Sequence, residues 1–250
     1  MLKKQSGFTL VELAIVLMII GLLIGGILRG QELMENARVS STIQQVNAYM
    51  GASNTFQDAY AAMPGDLFTA ATRVPGCTAA NFCTGGDGNG RVGNVMAPAS
   101  GVGAFNTALA AALTNENALF WKHLSAAHLI SGVNPAAPIA TASQEWGQSH
   151  PAAKIGGGFI IFYAAGNGGN AGDFGLGHVL RLQTSPGTAT SVQGSMPLSP
   201  VKARMIDQKM DDGMPDTGDV TADYEGTQCD NGGVYRNTEQ KNCVMQFAMD

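Results

Sequence analysis

Apolar positions are not spread evenly along this chain. Phe8 to Leu28 gives twenty-one residues with a single charge, Glu12. A helix of that length spans about 30 Å, the thickness of a bilayer core. Beyond it the apolar positions take a helical period. Val39, Ile43, Val46, Met50, Phe56, Tyr60 and Met63 step mostly by three or four, with Ser53 interrupting. Ser40, Ser41, Gln44, Gln45, Asn47, Gln57 and Asp58 occupy the other faces. Pro64 follows and Gly65-Asp66 turn the chain, which ends the helix near Met63. The pattern predicts one helix from Phe8 to about Ala62, roughly 80 Å long. Its first half suits an apolar surrounding and its second half the side of a head.

The remainder is less regular. Residues 64–114 are rich in Gly, Ala, Thr and Asn and read as a long surface excursion. Thr114 can cap a helix from Asn115 to about Ser131, ended by Gly132. Residues 133–153 read as loop. Phe159–Tyr163 and His178–Leu182 read as strands joined by a glycine-rich connection. Ser199-Pro200 opens a short helix to about Met210, with proline at its first position. A turn-rich tail carries one more strand at Val244–Ala248. The expected fold class is α+β: a long N-terminal helix on a small antiparallel sheet with long loops. The expected divisions are 1–7, a basic leader; 8–28, an apolar span; 29–63, its amphipathic continuation; and 64–250, a globular head.

Charge gives the span a direction. Lys3 and Lys4 precede it, while Arg29 and the acids Glu32 and Glu35 follow. The positive-inside rule keeps the lysines in the cytoplasm and sends residues 29–250 across. A cleaved secretory signal would have a shorter apolar core followed by small residues, not Arg29-Gly30-Gln31-Glu32. A plain anchor fits the length but leaves Glu12 unexplained. A carboxylate deep in a span costs roughly 2.5–3.5 kcal/mol on insertion scales, so it is by default functional and needs a partner.

Gly7-Phe8-Thr9-Leu10-Val11-Glu12 resembles the processing site of the type IV prepilins and pseudopilins. The resemblance takes in the basic leader, Gly7, Phe8, Glu12 and the apolar helix. It implies cleavage after Gly7 by an inner-membrane prepilin peptidase, which also methylates the new N-terminal Phe8. It implies a precursor in the bacterial inner membrane, its N-terminus cytoplasmic and its head periplasmic until assembly into a pilus or pseudopilus. The implied partners are other pilin-like subunits, the peptidase and methyltransferase, and the inner-membrane assembly platform. Glu12 would pair with the Phe8 amine of a neighbouring subunit, since a buried charge is tolerable when paired. One departure stands out: many relatives carry a proline in the outer half of this helix, and none occurs here before Pro64. Gly25-Gly26 offers either a soft point or a site of close helix packing.

Composition narrows the rest. Charged residues make up only 13% of the 250, and the net charge of −5, with no basic cluster outside the leader, argues against a nucleic-acid binder. Cys77, Cys83, Cys229 and Cys243 are an even set whose spacings are not those of a zinc site. Beyond the membrane they favour disulfides, and short loops favour Cys77–Cys83 and Cys229–Cys243. Four unpaired thiols are the alternative.

Catalytic patterns are missing. Gly166 to Ala171 formally matches GxGxxA, but a further turn and a strand follow where a dinucleotide site needs a helix. No GxSxG elbow occurs, and His123, His128, His150 and His178 are scattered. The chain reads as no enzyme and needs no cofactor. Two acidic loops raise calcium. Asp87-Gly88-Asn89-Gly90-Arg91 resembles a fragment of a calcium loop without its closing glutamate. Asp207, Asp211, Asp212, Asp216 and Asp219 are denser, and the pseudopilin resemblance adds to their case. Aspartates that cap turns explain them equally well. The expected function is a structural subunit of a type IV pilus or a type II secretion pseudopilus. The rival is a membrane-anchored periplasmic binding protein or enzyme with an unrecognised site.

Overall fold

The computed structural model describes residues 9–93, 115–139, 144–165, 176–186, 196–222 and 228–249. Gly7, Phe8, Thr114 and the GxGxxA stretch lie outside them. Helix α1 runs from Leu10 to Tyr60. It passes through Gly21, Gly25, Gly26 and Gly30 without a break, and a side chain added at any of them would meet nothing within 4 Å. The chain divides into two compact units, Met1–Arg38 and Val39–Asp250.

In the first unit the described residues are all helix from Leu10 onward. Large apolar side chains from Leu10 to Leu28 are exposed, from 44% at Ile20 to 86% at Leu10. The segment is long and apolar enough to cross a membrane, and among the described residues its most apolar stretch is unburied. Arg29 pairs with Glu32, and Arg38 with Glu35 at 3.4 Å, just past the apolar run.

The second unit is built on the rest of α1. Val39, Thr42, Val46, Tyr49, Ala52, Ser53 and Phe56 are its buried positions. Thr42 and Ser53 are small enough to be buried among the apolar residues, whereas Ile43, Met50 and Tyr60 are only partly buried. The Tyr49 ring meets Trp121 edge-on at 5.2 Å and Phe159 at 5.4 Å. These contacts seat α1 against helix α3, Asn115–Ala126, and strand β1, Gly158–Ala165. A one-turn helix α2, Ala70–Arg73, lies between α1 and α3 in sequence.

Helix ends differ from expectation for identifiable reasons. α1 stops at Tyr60, before Pro64 can act, because Ala61 turns to φ 55° while its N–H still bonds Gln57. α3 stops at Ala126, not near Ser131. His128 adopts φ 59°, its N–H bonds Ser125, and the Leu129 N–H reaches back to Leu124. That pair of bonds is the usual left-handed helix stop, here without its usual glycine. Helix α4, Pro200–Met210, matches expectation, with Ser199 accepting from the Lys202 N–H at 3.4 Å.

The sheet is antiparallel, in the order β1-β2-β4-β3, with β2 at Leu176–Gln183, β3 at Val220–Thr221 and β4 at Met245–Met249. One row of partners crosses all four strands: Ile161, Leu180, Phe247 and Val220. All four side chains are buried in the main core beside Phe56 and Trp121. The opposite face of β1 and β2 buries Ile160, Phe162 and Val179 against Trp146. A sheet covered on both faces explains the unbroken apolar run at residues 159–162.

Long helix, small antiparallel sheet and two disulfides together make a pilin-like α+β layout. Cys77 is bonded to Cys83, and Cys229 to Cys243, with Cα separations of 4.9 and 5.0 Å. No described cysteine is free. Closing a loop of the size between Cys229 and Cys243 is worth about 3 kcal/mol in the chain-entropy model. The Cys229→Ser, Cys243→Ser double variant of a soluble fragment beginning near Val39 is therefore expected to melt several degrees lower. Calorimetry on the oxidised fragment checks it, and an unchanged melting temperature would remove the staple from the account of stability.

Candidate functional site

Three places concentrate chemistry: the first turn of α1, a carboxylate cluster under the loop at residues 87–93, and the acidic loop after α4.

At the first turn, Thr9 precedes the helix and Glu12 lies three residues on. The Thr9 N–H and the Thr9 hydroxyl both donate to Glu12 Oε2 at 2.8 Å. The Glu12 N–H returns a bond to Thr9 Oγ1 at 3.3 Å. This reciprocal arrangement is a capping box, which satisfies helix-end donors that would otherwise be orphaned. Its signal in the sequence is the Thr-x-x-Glu spacing of Thr9 and Glu12.

The second place was only half visible in the sequence. Asp66, Asp87 and Glu116 each bring an oxygen within 4.8 Å of the others. Asp66 accepts the Asn89 and Gly90 N–H groups at 2.9 and 3.0 Å. Glu116 accepts those of Asp87 and Gly93 at 2.8 and 2.9 Å. Two carboxylates, one from the turn after α1 and one from α3, thus fold the loop about themselves. Burial pushes both carboxyl groups up from their usual range, against the pull of these N–H bonds. Glu116, a lone acid at the start of an apolar helix, was the available clue.

In the third place the structure gathers Asp207, Asp211 and Asp212, again within 4.8 Å. Asp216 and Asp219 are not part of this group. Asp207 is fully buried, and it accepts from Gly213 N–H at 3.0 Å and Tyr235 Oη at 2.6 Å. Burial pushes its carboxyl up to about 6, helped by the charges of Asp212 and Asp211. Asp211 accepts the Val220 N–H, and Asp212 accepts the Met214 N–H and the Thr217 hydroxyl. Gly218, at φ +81°, is required there, since a Cβ would stand 1.8 Å from Asp211 Oδ2. The donor set is all hard oxygen, the type calcium takes, and its spacing fits three ligands. The same oxygens also hold the turn, as the aspartate-capped alternative expects.

Cys77, Cys83 and His123 also converge. The sulfurs are bonded to each other, and both His123 nitrogens are engaged. Nδ1 accepts the Gly65 N–H at 2.8 Å, and Nε2–H donates to the Thr84 carbonyl at 2.8 Å. His178 Nε2 accepts the Val92 N–H at 3.1 Å, and His150 Nδ1 meets Ser149 Oγ at 2.9 Å. These histidines tie loops together and show no convergence on a substrate-sized site. Lys122, 2% exposed, likewise donates to the carbonyls of Asn134 and Pro135.

Residues 2–28 match a family described as the prokaryotic N-terminal methylation motif. This is the prepilin-type cleavage and methylation segment, and with it the chain carries the mark of a type IV pilin- or pseudopilin-like precursor. The match fits an inner-membrane-anchored precursor and a structural subunit. No curated protein and no solved structure matches the chain.

The head's titration follows from burial. Desolvation lowers His150 to about 3 and His178 to about 4, and lowers His123 as well. Below about pH 6.5 the unfolded chain takes up protons that the folded head refuses, so these groups make stability fall with pH. Asp207 acts oppositely: its contribution is full at low pH and is lost as pH rises through about 6. His150→Asn, which keeps a hydrogen-bonding atom near Ser149, is expected to flatten the acid limb. The slope between pH 6.5 and 4 should shrink by up to about 1.4 kcal/mol per pH unit. Urea unfolding of wild type and variant across that range checks it, and an unchanged slope would contradict a neutral buried imidazole.

Proposed function

We propose that this chain is a structural subunit of a type IV pilus or a type II secretion pseudopilus, cut between Gly7 and Phe8 and assembled through α1. The observation that carries this reading is the methylation motif at the start of a long apolar helix whose large side chains from Leu10 to Leu28 are exposed among the described residues. Lipid covers that surface in the precursor, and neighbouring helices cover it in the filament. Cleavage removes Lys3 and Lys4, which hold the N-terminus at the cytoplasmic face. It leaves an amine on Phe8. Glu12 of one subunit then pairs with that amine on the next, so the group that is costly in lipid specifies the register of the filament. The prepilin peptidase, other pilin-like subunits and the inner-membrane platform are the partners of this cycle, and the head is delivered to the periplasmic side.

Two experiments test this account. Intact mass of membrane-extracted protein should show loss of residues 1–7 and gain of one methyl. Glu12→Val should stay inserted, still be cut, and show a lower ratio of sheared filament to membrane-bound subunit at equal expression. A passive anchor would gain or stay neutral from the same change, so a variant that assembles like wild type ends the pairing mechanism.

A calcium ion held by Asp207, Asp211 and Asp212 would stabilise the head and take no part in a reaction. Calcium should then raise the melting temperature of the fragment beginning near Val39, and Asp211→Ala with Asp212→Ala should abolish the rise. Wild type that melts alike with calcium and with chelator would leave these aspartates as turn caps alone.

A further inference from the structure

Three asparagines in this chain are followed by glycine: Asn89, Asn167 and Asn231. Asn167 lies outside the described residues. An Asn-Gly step carries its own chemistry. The glycine nitrogen has no side chain beside it, so it can approach the carboxamide carbon of the asparagine closely. The reaction then depends on whether both groups are free to meet.

The structure treats the two described steps oppositely. At Asn89-Gly90 every participant is held. The Gly90 N–H donates to Asp66 Oδ2 at 3.0 Å. Asn89 Oδ1 accepts the Arg91 N–H at 2.8 Å, and its Nδ2 donates to Asp87 Oδ2 at 2.6 Å. Asn231-Gly232 lies in the hairpin turn between the bridged residues Asp230 and Tyr235, where Gly232 and Gly233 adopt φ +65° and +81°. The Asn231 N–H bonds the Val234 carbonyl at 2.9 Å. Among the described residues neither the Asn231 carboxamide nor the Gly232 N–H makes a hydrogen bond. All four residues are exposed, so bonding and not exposure separates the two steps.

We propose that Asn231 is a site of spontaneous covalent modification, whereas Asn89 is protected by the bonds that hold its loop, above all that from Gly90 to Asp66. The Gly232 nitrogen gives up its proton to solvent and attacks Cγ of Asn231. The new C–N bond closes a succinimide ring, the bond from Cγ to Nδ2 breaks, and that nitrogen takes up protons and leaves as ammonia. Water then opens the ring at one carbonyl or the other. The product is aspartate, or isoaspartate with the main chain running through the former side chain. Water is the only reagent consumed, and nothing is oxidised or reduced.

The consequence reaches beyond the turn. Either product adds a carboxylate next to Asp230, which accepts the Gly233 N–H at 3.2 Å. Asp216 is also close, since a Cβ at Gly233 would stand 3.3 Å from its Oδ2. Isoaspartate lengthens the main chain just before Tyr235, which donates to the buried Asp207. The modification therefore acts on the acidic loop after α4 from its far side.

The test uses the full chain, extracted in detergent with its disulfides intact and held at neutral pH in water enriched in heavy oxygen. The same protein in urea, with its disulfides reduced, is followed beside it. Peptide mapping reads Asn89 and Asn231, and incorporated heavy oxygen marks conversion during the incubation. In the folded chain Asn231 is expected to yield a pair of aspartyl and isoaspartyl peptides. Its rate should exceed that of Asn89 by at least about tenfold, the size of one hydrogen bond to a charged group. In urea the two rates should converge. Asn231→Gln, which would have to close a larger ring, should lose the labelled product there and leave Asn89 slow.

Three results would overturn the proposal. Asn231 intact in the folded chain while it converts in urea would make the hairpin protective. Asn89 keeping pace with Asn231 in the folded chain would remove the protection assigned to its loop. Rates that stay tenfold apart in urea would trace the difference to neighbouring residues and not to the fold.

Discussion

An apolar surface that a chain cannot cover by itself must be covered by something else, and everything in the first unit follows from that. From Leu10 to Leu28 the side chains of α1 turn outward on every side. A helix hydrophobic all round is stable only in lipid or among other helices. Those two surroundings are energetically similar for methyl and methylene groups, so the apolar residues barely distinguish them. A polar group can make the distinction, and Glu12 is the only charged residue between Phe8 and Leu28. It is awkward in lipid and useful wherever a cation can be brought to it.

The head solves a different problem. Its loops are rich in glycine and poor in large side chains, so apolar burial alone fixes little of their path. Buried polar anchors do that work instead. Asp66 and Glu116 receive four backbone N–H groups from one loop. His123 joins the turn after α1 to the segment following Cys83. Gln45 on α1 donates to the Ala152 carbonyl and accepts the Lys154 N–H, treating a loop as a strand edge. Each anchor satisfies groups that would be costly to bury unpaired.

What the sequence disclosed depended on how local its cause was. The apolar span, α4 with its Ser-Pro start, and the strands at residues 158–165, 176–183 and 245–249 are written in nearby residues, and they were legible to within a few positions. The end of α3 was not, because a histidine took the place usually given to glycine. β3 has two residues and exists only through its pairing with β4, so no periodicity could announce it. The carboxylate cluster joins residues 66, 87 and 116, and no reading of neighbours could assemble it. The N-terminal segment was the most legible part because its function is carried by consecutive residues. Within it, the Thr9–Glu12 bonds correspond to a Thr-x-x-Glu spacing, a local signal of the same kind.

The order of strands has a consequence for when the head can fold. β4 comes after every other described element in sequence, yet it lies between β2 and β3 in the sheet. Until residues 245–249 arrive, β2 lacks one neighbour and β3 has none. For a chain that emerges in sequence order, the central pairing is then delayed until those residues are available. The topology works as a timer: it concentrates cooperative closure of the sheet in one late, long-range step.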